Sequence, residues 1–320
     1  MFSSRSQDSR NPRILISFLC VYLFWGSTYL AMRYGLEVLP PFVMASTRFL
    51  ISGSVLLAIC AIGGVRMLPS MREFRTLAII GVLMLGCGNT AVLWSELYLA
   101  TGLASLLVAG IPLFAALIEV FLPNGEGLPA RGWIGVAIGF IGLGFLVWPS
   151  LRHSLHGDSR QIIATAVILA GSFCWTAGSV ISRRSTIRIS GFAAAGWQMF
   201  FGGLFNTGIM FAAGGYRGSH WGLEAWGSIL YLVIFGSLVG YTAYIYLLNN
   251  VAVSKVTTYA YINPVIAVIL GAIFLREHFV VVEYVGMASI LLAVFLVTGS
   301  KLKTGATPAE VEDVAVGRKA

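Results

Sequence analysis

Six aromatic side chains, Trp25, Tyr29, Trp94, Trp175, Tyr244 and Tyr261, stand in the middle of long apolar runs. A ring at such a place offers a solute a flat apolar face and a cation-π surface. Asn89 and Tyr241 add an amide and a phenol at similar depth, and in lipid either group must find a partner. Arg48 lies two turns into the second run. A central arginine costs at least about 2.5 kcal/mol on insertion scales, so it is expected to face a wet interior, with Glu96 as a candidate counter-charge. Snorkelling to the nearer interface is the other reading. Glu119 falls seven residues after Pro112 and four after Ala115, on the proline's face of the helix. It is a candidate proton-coupling carboxyl, with a boundary pair to Lys255 as the plainer reading. For the aromatic and amide groups the plain reading is helix packing and interhelical hydrogen bonding.

These residues need helices to hold them. The chain has 320 residues, 58% of them hydrophobic and 11% charged, with mean hydropathy +0.85. A soluble domain has about 25% charged residues, so the bilayer is the solvent here. Runs 14–32, 42–62, 77–95, 102–122 and 133–148, then 162–181, 191–213, 226–248, 253–275 and 281–298, are near the length a crossing helix needs. Ten spans are expected, with 133–148 short. Arg5, Arg10 and Arg13 ahead of the first run imitate a secretory signal, but its flank has no small-x-small site and more spans follow, so it is expected to stay attached.

Run 253–275 has Asn263-Pro264 in its middle. A proline inside a helix frees a carbonyl, which lipid cannot satisfy. That helix is therefore expected to turn the face of Thr257, Tyr261, Pro264, Val268 and Gly271 to a cavity. A shift of 152 positions lays Gly88, Thr90, Ala91, Ala100, Pro112 and Ala115 on Gly240, Thr242, Ala243, Ala252, Pro264 and Ala267. It also pairs Asn89 with Tyr241 and Val92 with Tyr244. The chain reads as two copies of one unit. Five spans per copy is odd, so the copies are expected to be inverted, around a central cavity.

Of 21 Lys and Arg, 14 fall on one side: Arg5, Arg10, Arg13, Arg66, Arg72, Arg75, Arg131, Arg183, Arg184, Arg188, Lys301, Lys303, Arg318 and Lys319. Both termini are then expected in the cytoplasm. The net charge of +8 is this asymmetry and gives no reason to invoke nucleic acid. Cys20, Cys60, Cys87 and Cys174 stand singly in apolar runs, and His153, His156, His220 and His278 in outer loops. No disulfide, metal or cofactor is expected.

An ordered set of motifs carries a resemblance. It comprises Trp25-Gly26-Ser27-Thr28-Tyr29, Pro40-Pro41 with Arg48-Phe49, Pro112, Trp175 with Gly178-Ser179, Tyr241, and the run from Ser254 to Pro264 ending Tyr259-Ala260-Tyr261-Ile262-Asn263-Pro264. Glu126 and Glu277 match a glutamate after the fourth and ninth helices. Together these resemble the EamA family of the drug/metabolite transporter superfamily, and within it the bacterial YedA-like group. The resemblance implies an all-α integral membrane fold of ten helices, two inverted five-helix repeats around a central cavity, and export of small metabolites, amino acids or drugs from a bacterial cytoplasm. It adds Ser179, Asn263, Pro112 and Pro264 to the candidate substrate-binding residues. The expected layout is a cytoplasmic tail 1–13, repeats 14–148 and 162–299 joined by an outer linker 149–161, and a disordered tail 300–320. A membrane enzyme acting on lipid-linked substrates and a non-transporting scaffold are the alternatives.

Overall fold

The computed structural model describes residues 11–123, 129–154, 159–251, 253–277 and 280–304, and of their side chains all but those of 149–154, Ser254, Tyr261, Glu283, Val294 and 297–304. Glu126, His156 and His278 thus lie outside the described residues, as do the side chains of Tyr261 and His153.

The described chain is helical and without strands: α1 (Pro12–Leu36), α2 (Pro41–Ile62), α3 (Met71–Ser95), α4 (Thr101–Phe121), α5 (Ala130–Ser154), α6 (Arg160–Arg184), α7 (Gly191–Ala212), α8 (Leu223–Asn250), α9 (Tyr259–Phe274) and α10 (Val281–Thr304). Seven of them, α1 to α6 and α8, are long and apolar enough to cross a membrane by length and composition. α7 has 22 residues but includes Gln198, Asn206 and five glycines, while α9 and α10 contribute the shorter apolar stretches Ile262–Phe274 and Tyr284–Ala293.

Several helices outrun the apolar stretches that announce them. α1 starts at Pro12, whose ring suits a first helical position, behind Asn11, whose side chain accepts the Arg13 N–H at 3.0 Å. α3 begins with a capping box of Ser70 and Glu73. α5 has 25 residues where hydropathy marked 16. Hydropathy reports the part that suits lipid, whereas backbone hydrogen bonding continues past it.

The two prolines are not used alike. Pro264 lies inside α9, but Pro112 sits in the first turn of a new helical piece, Ile111–Phe121, after a break at Ala109 and Gly110. Pro112 is therefore a helix starter, which needs no N–H there, and no mid-helix kink. In the second half the break comes instead at Thr257 and Thr258, between the short helix Val253–Val256 and α9.

Where the halves do agree is in α3 and α8. Each has a π-helical stretch, Val82–Asn89 and Leu232–Tyr241. Moved by 152 positions, the first falls within the second. Wider helical turns leave carbonyls poorly satisfied, and π segments are common at functional sites. Here the Leu85 carbonyl accepts from Thr90 Oγ1 at 3.1 Å and Asn206 Nδ2 at 3.4 Å, and the Gly236 carbonyl from Trp25 Nε1 at 3.0 Å.

The most extensive interfaces join equivalent helices, α2 with α7 and α5 with α10. Residues 46, 50, 53 and 57 meet 207, 203, 200 and 196 in that order, so α2 and α7 run antiparallel. Gly139 against Ala293 and Leu146 against Gly286 say the same of α5 and α10. Glycines allow the approach, because at Gly53 a Cβ would lie 2.6 Å from the Phe200 backbone nitrogen.

Candidate functional site

Between the helices lies a cavity of about 60 Å³, room for a few waters. Both π segments reach it, through Leu85, Gly88 and Asn89 of α3 and Gly236 and Tyr241 of α8. α1 contributes Trp25, Thr28, Tyr29 and Met32, α2 Arg48 and Phe49, α6 Gly171, Ser172 and Trp175, and α9 Tyr259 and Asn263.

Of the residues named from sequence, Trp25, Tyr29, Arg48, Asn89, Trp175, Tyr241 and Asn263 come together on its wall. Tyr244 and Ser179 form the layer behind them. The Tyr244 ring packs 4.9 Å from Trp25, 5.6 Å from Trp175 and 5.8 Å from Tyr259, and its hydroxyl is 2.9 Å from Ser179 Oγ. Trp94 is elsewhere, half-buried against Tyr98 at 5.1 Å. Pro112 and Pro264 are buried in helix packing and do not line the cavity.

The cavity face of α9 differs from the expected one. Tyr259 and Asn263, one turn apart, face the cavity, whereas Thr257, Pro264, Val268 and Gly271 of the expected face do not line it. The break at Thr257 and Thr258 separates Thr257 from α9.

Arg48 is 3% exposed. Its Nε donates to Ser237 Oγ at 2.9 Å and its Nη1 to Asn89 Oδ1 at 3.3 Å, with Cζ 4.8 Å over the Phe49 ring. Glu96 is not its counter-charge, and no described carboxylate lies within ion-pair distance of it. Glu96 instead caps the far end of α3, fully buried, both carboxyl oxygens without a hydrogen-bond partner, while Arg33 Nη1 donates to its backbone carbonyl. Asn89 and Tyr241 are not paired across the site. Asn89 serves Arg48, and the Tyr241 hydroxyl donates to Gln198 Oε1 at 2.7 Å.

Glu119 pairs with Arg184 at 2.8 Å, not with Lys255, and its partner is 37% exposed. The pair sits at the edge of the bundle, away from the cavity. An exposed pair of this kind contributes about 0–1 kcal/mol. Glu119→Gln is accordingly expected to leave the midpoint of thermal unfolding in detergent almost unchanged.

Gln198 and Asn206, both fully buried on α7, escaped the sequence reading, as did Ser237, while Tyr259 figured in a motif but not among the candidate site residues. The available signal was their polarity within apolar runs. Asn206 Oδ1 accepts from Thr90 Oγ1 at 2.9 Å while its Nδ2 reaches the Leu85 and Gly202 carbonyls. Asn206→Leu removes these bonds and leaves Thr90 Oγ1 and the Leu85 carbonyl with only each other, at a cost of about 1–3 kcal/mol. A lower unfolding midpoint is the expected reading, and an unchanged one would dismiss the clamp.

The model of the EamA-like transporter family matches residues 12–148 and again 162–299. The chain is 35% identical to the inner membrane transporter YedA of Escherichia coli K12 over 291 residues, 90% of this chain and 91% of that protein. It is 23% identical to the transporter YoaV of Bacillus subtilis, across 89% of this chain and 97% of the relative. A solved crystal structure at 21% identity covers 92% of this chain and 100% of its own, with a TM-score of 0.66, a likeness of fold.

Proposed function

This chain belongs to the EamA-like transporter family and is a membrane transporter, and from that premise we propose that it is a secondary carrier working by alternating access. Its ten helices cross the bilayer as two inverted halves, α7, α9 and α10 included. A small solute enters the central cavity from the cytoplasm, the halves rock, and the solute leaves outside. The membrane is the bacterial inner membrane, both termini are cytoplasmic, and a proton gradient or solute exchange supplies the drive.

The observation that carries this reading is the cavity itself, walled by matching π segments from both halves. Antiparallel packing of equivalent helices supports the inversion, because two copies entering from the same side would lay them parallel. The aromatic layer of Trp25, Trp175, Tyr244 and Tyr259 suits one end of such a site, and the group of Arg33, Glu96 and Glu277 lies toward the other.

Purified protein in sealed liposomes tests it. Flux of a radiolabelled amino acid or an aromatic drug under an imposed gradient is the expected result, after a growth panel of toxic amino acids and drugs has named the solute class. Turnover of a lipid-linked substrate without flux would favour an enzyme, and neither a scaffold. Fusions that report the N-terminus and the C-terminus on opposite faces would overturn the topology.

A further inference from the structure

Arg48 is the point at which the cavity's chemistry is incomplete. Every described group that meets its guanidinium is neutral: the Ser237 hydroxyl, the Asn89 amide oxygen at a long 3.3 Å, and the Phe49 ring. Nη2 has no hydrogen bond to a described residue and lies where a Cβ on Gly236 would come within 2.7 Å of it, on the cavity wall. A buried, fully charged fork without an anion is held at a cost in a medium of low dielectric. Guanidinium geometry matches a carboxylate through two parallel N–H donors, and such charge-assisted bonds are about twice as strong as neutral ones.

Resting on the carrier reading of this same cavity, we propose that its solute bears a carboxylate and that Arg48 is the receptor for it. The rest of the wall fits the rest of such a molecule. Trp25, Trp175 and Tyr259 present ring surface to an apolar body. Asn263 Oδ1, buried and without a donor, is an acceptor for an N–H or O–H that the solute brings. Among the described residues no internal group does this work already, since Glu96 makes no ion pair with Arg48 and accepts no hydrogen bond on its carboxyl. The device is also one-sided. Position 200, the repeat equivalent of Arg48 at 152 residues, is a phenylalanine, so Arg48 has no cationic counterpart in the second half and gives the solute one defined orientation.

Isosteric pairs that differ in charge decide the matter. Full-length protein in mild detergent is titrated with phenylacetate against phenylacetamide, benzoate against benzamide, and hexanoate against hexanamide, reading the unfolding midpoint. At least one carboxylate is expected to raise the midpoint with concentration while its amide does not, and Arg48→Gln is expected to erase that preference. Arg48→Lys keeps the charge without the fork and should bind the same carboxylate about tenfold more weakly. It also decides the question if the glutamine variant does not fold. Equal response to acid and amide in every pair, or an undiminished preference in the substituted proteins, overturns the proposal. Because the readout is binding, a protein that prefers carboxylates yet moves no solute in liposomes would refute the carrier and leave the receptor standing.

Discussion

Gly53→Leu should separate α2 from α7 and leave a protein that does not survive extraction in mild detergent. A Cβ at this position would stand 2.6 Å from the Phe200 nitrogen and 2.9 Å from the Gly196 carbonyl oxygen. Both are backbone atoms of a helix and cannot swing aside. The same interface is narrow at Gly203, where a Cβ would meet the Leu50 nitrogen at 2.8 Å, and is pinned by Ser46 against Thr207 at 2.6 Å. Apolar side chains gain nothing by leaving lipid for one another, so helix association in the bilayer depends on such close backbone approach. Overpacking here belongs among the substitutions that cost more than about 4 kcal/mol. Size-exclusion chromatography and thermal unfolding read the outcome. Gly208→Ala is the control, since a Cβ there meets nothing within 4 Å, and a helix gains about 0.5–1 kcal/mol from that exchange. A monodisperse Gly53→Leu protein with the parent's midpoint would show that α2 and α7 do not pack as described.

Glu277→Ala should lower stability by about 3 kcal/mol, as expected when charge-assisted bonds of about 1.5–3 kcal/mol each are lost. α4 opens at Thr101 behind Ala100, whose side chain caps nothing. Its first two amides, orphans at any helix start, donate to Glu277 instead, Thr101 N to Oε1 at 2.6 Å and Gly102 N to Oε2 at 3.0 Å. The negative carboxylate also suits the positive end of the helix dipole. Two features of α9 place it. Arg276 takes a left-handed conformation, φ 55°, that ends the helix, and the Glu277 N–H returns to the Gly271 carbonyl at 3.2 Å. Gly271 keeps the space clear, for a Cβ there would stand 2.5 Å from Oε2. Gly271→Val should therefore reproduce the loss, and combining the two substitutions should add little to either alone. Additive effects in that double-mutant cycle would mean that Gly271 and Glu277 act separately.

The same end of the bundle holds Glu96, buried without a partner for its carboxyl, beside Arg33 and within electrostatic reach of Glu277. Removing a buried unpaired group removes its desolvation penalty. Glu96→Met, which puts an apolar side chain of similar length there, is accordingly expected to be tolerated or stabilising, the opposite sign from Glu277→Ala, although both replace a glutamate near the same helix end.

Composition, the apolar runs and the 152-residue self-match were enough to determine an all-helical membrane protein made of two related halves, because each depends only on the order of residues and on what lipid will accept. The polar and aromatic outliers within those runs were legible for the same reason, and seven of them do meet at one cavity. Which turn of a helix faces that cavity was decided only by the tertiary structure. Tyr259 and Asn263 are the residues that α9 turns to it, and the break before Pro112 makes that residue a helix start where its repeat partner Pro264 lies inside a helix. Partners were likewise invisible. Arg48 found Ser237 from 189 positions away and Glu119 found Arg184 from 65, since periodicity assigns a side chain to a face but leaves open which neighbouring helix that face will meet.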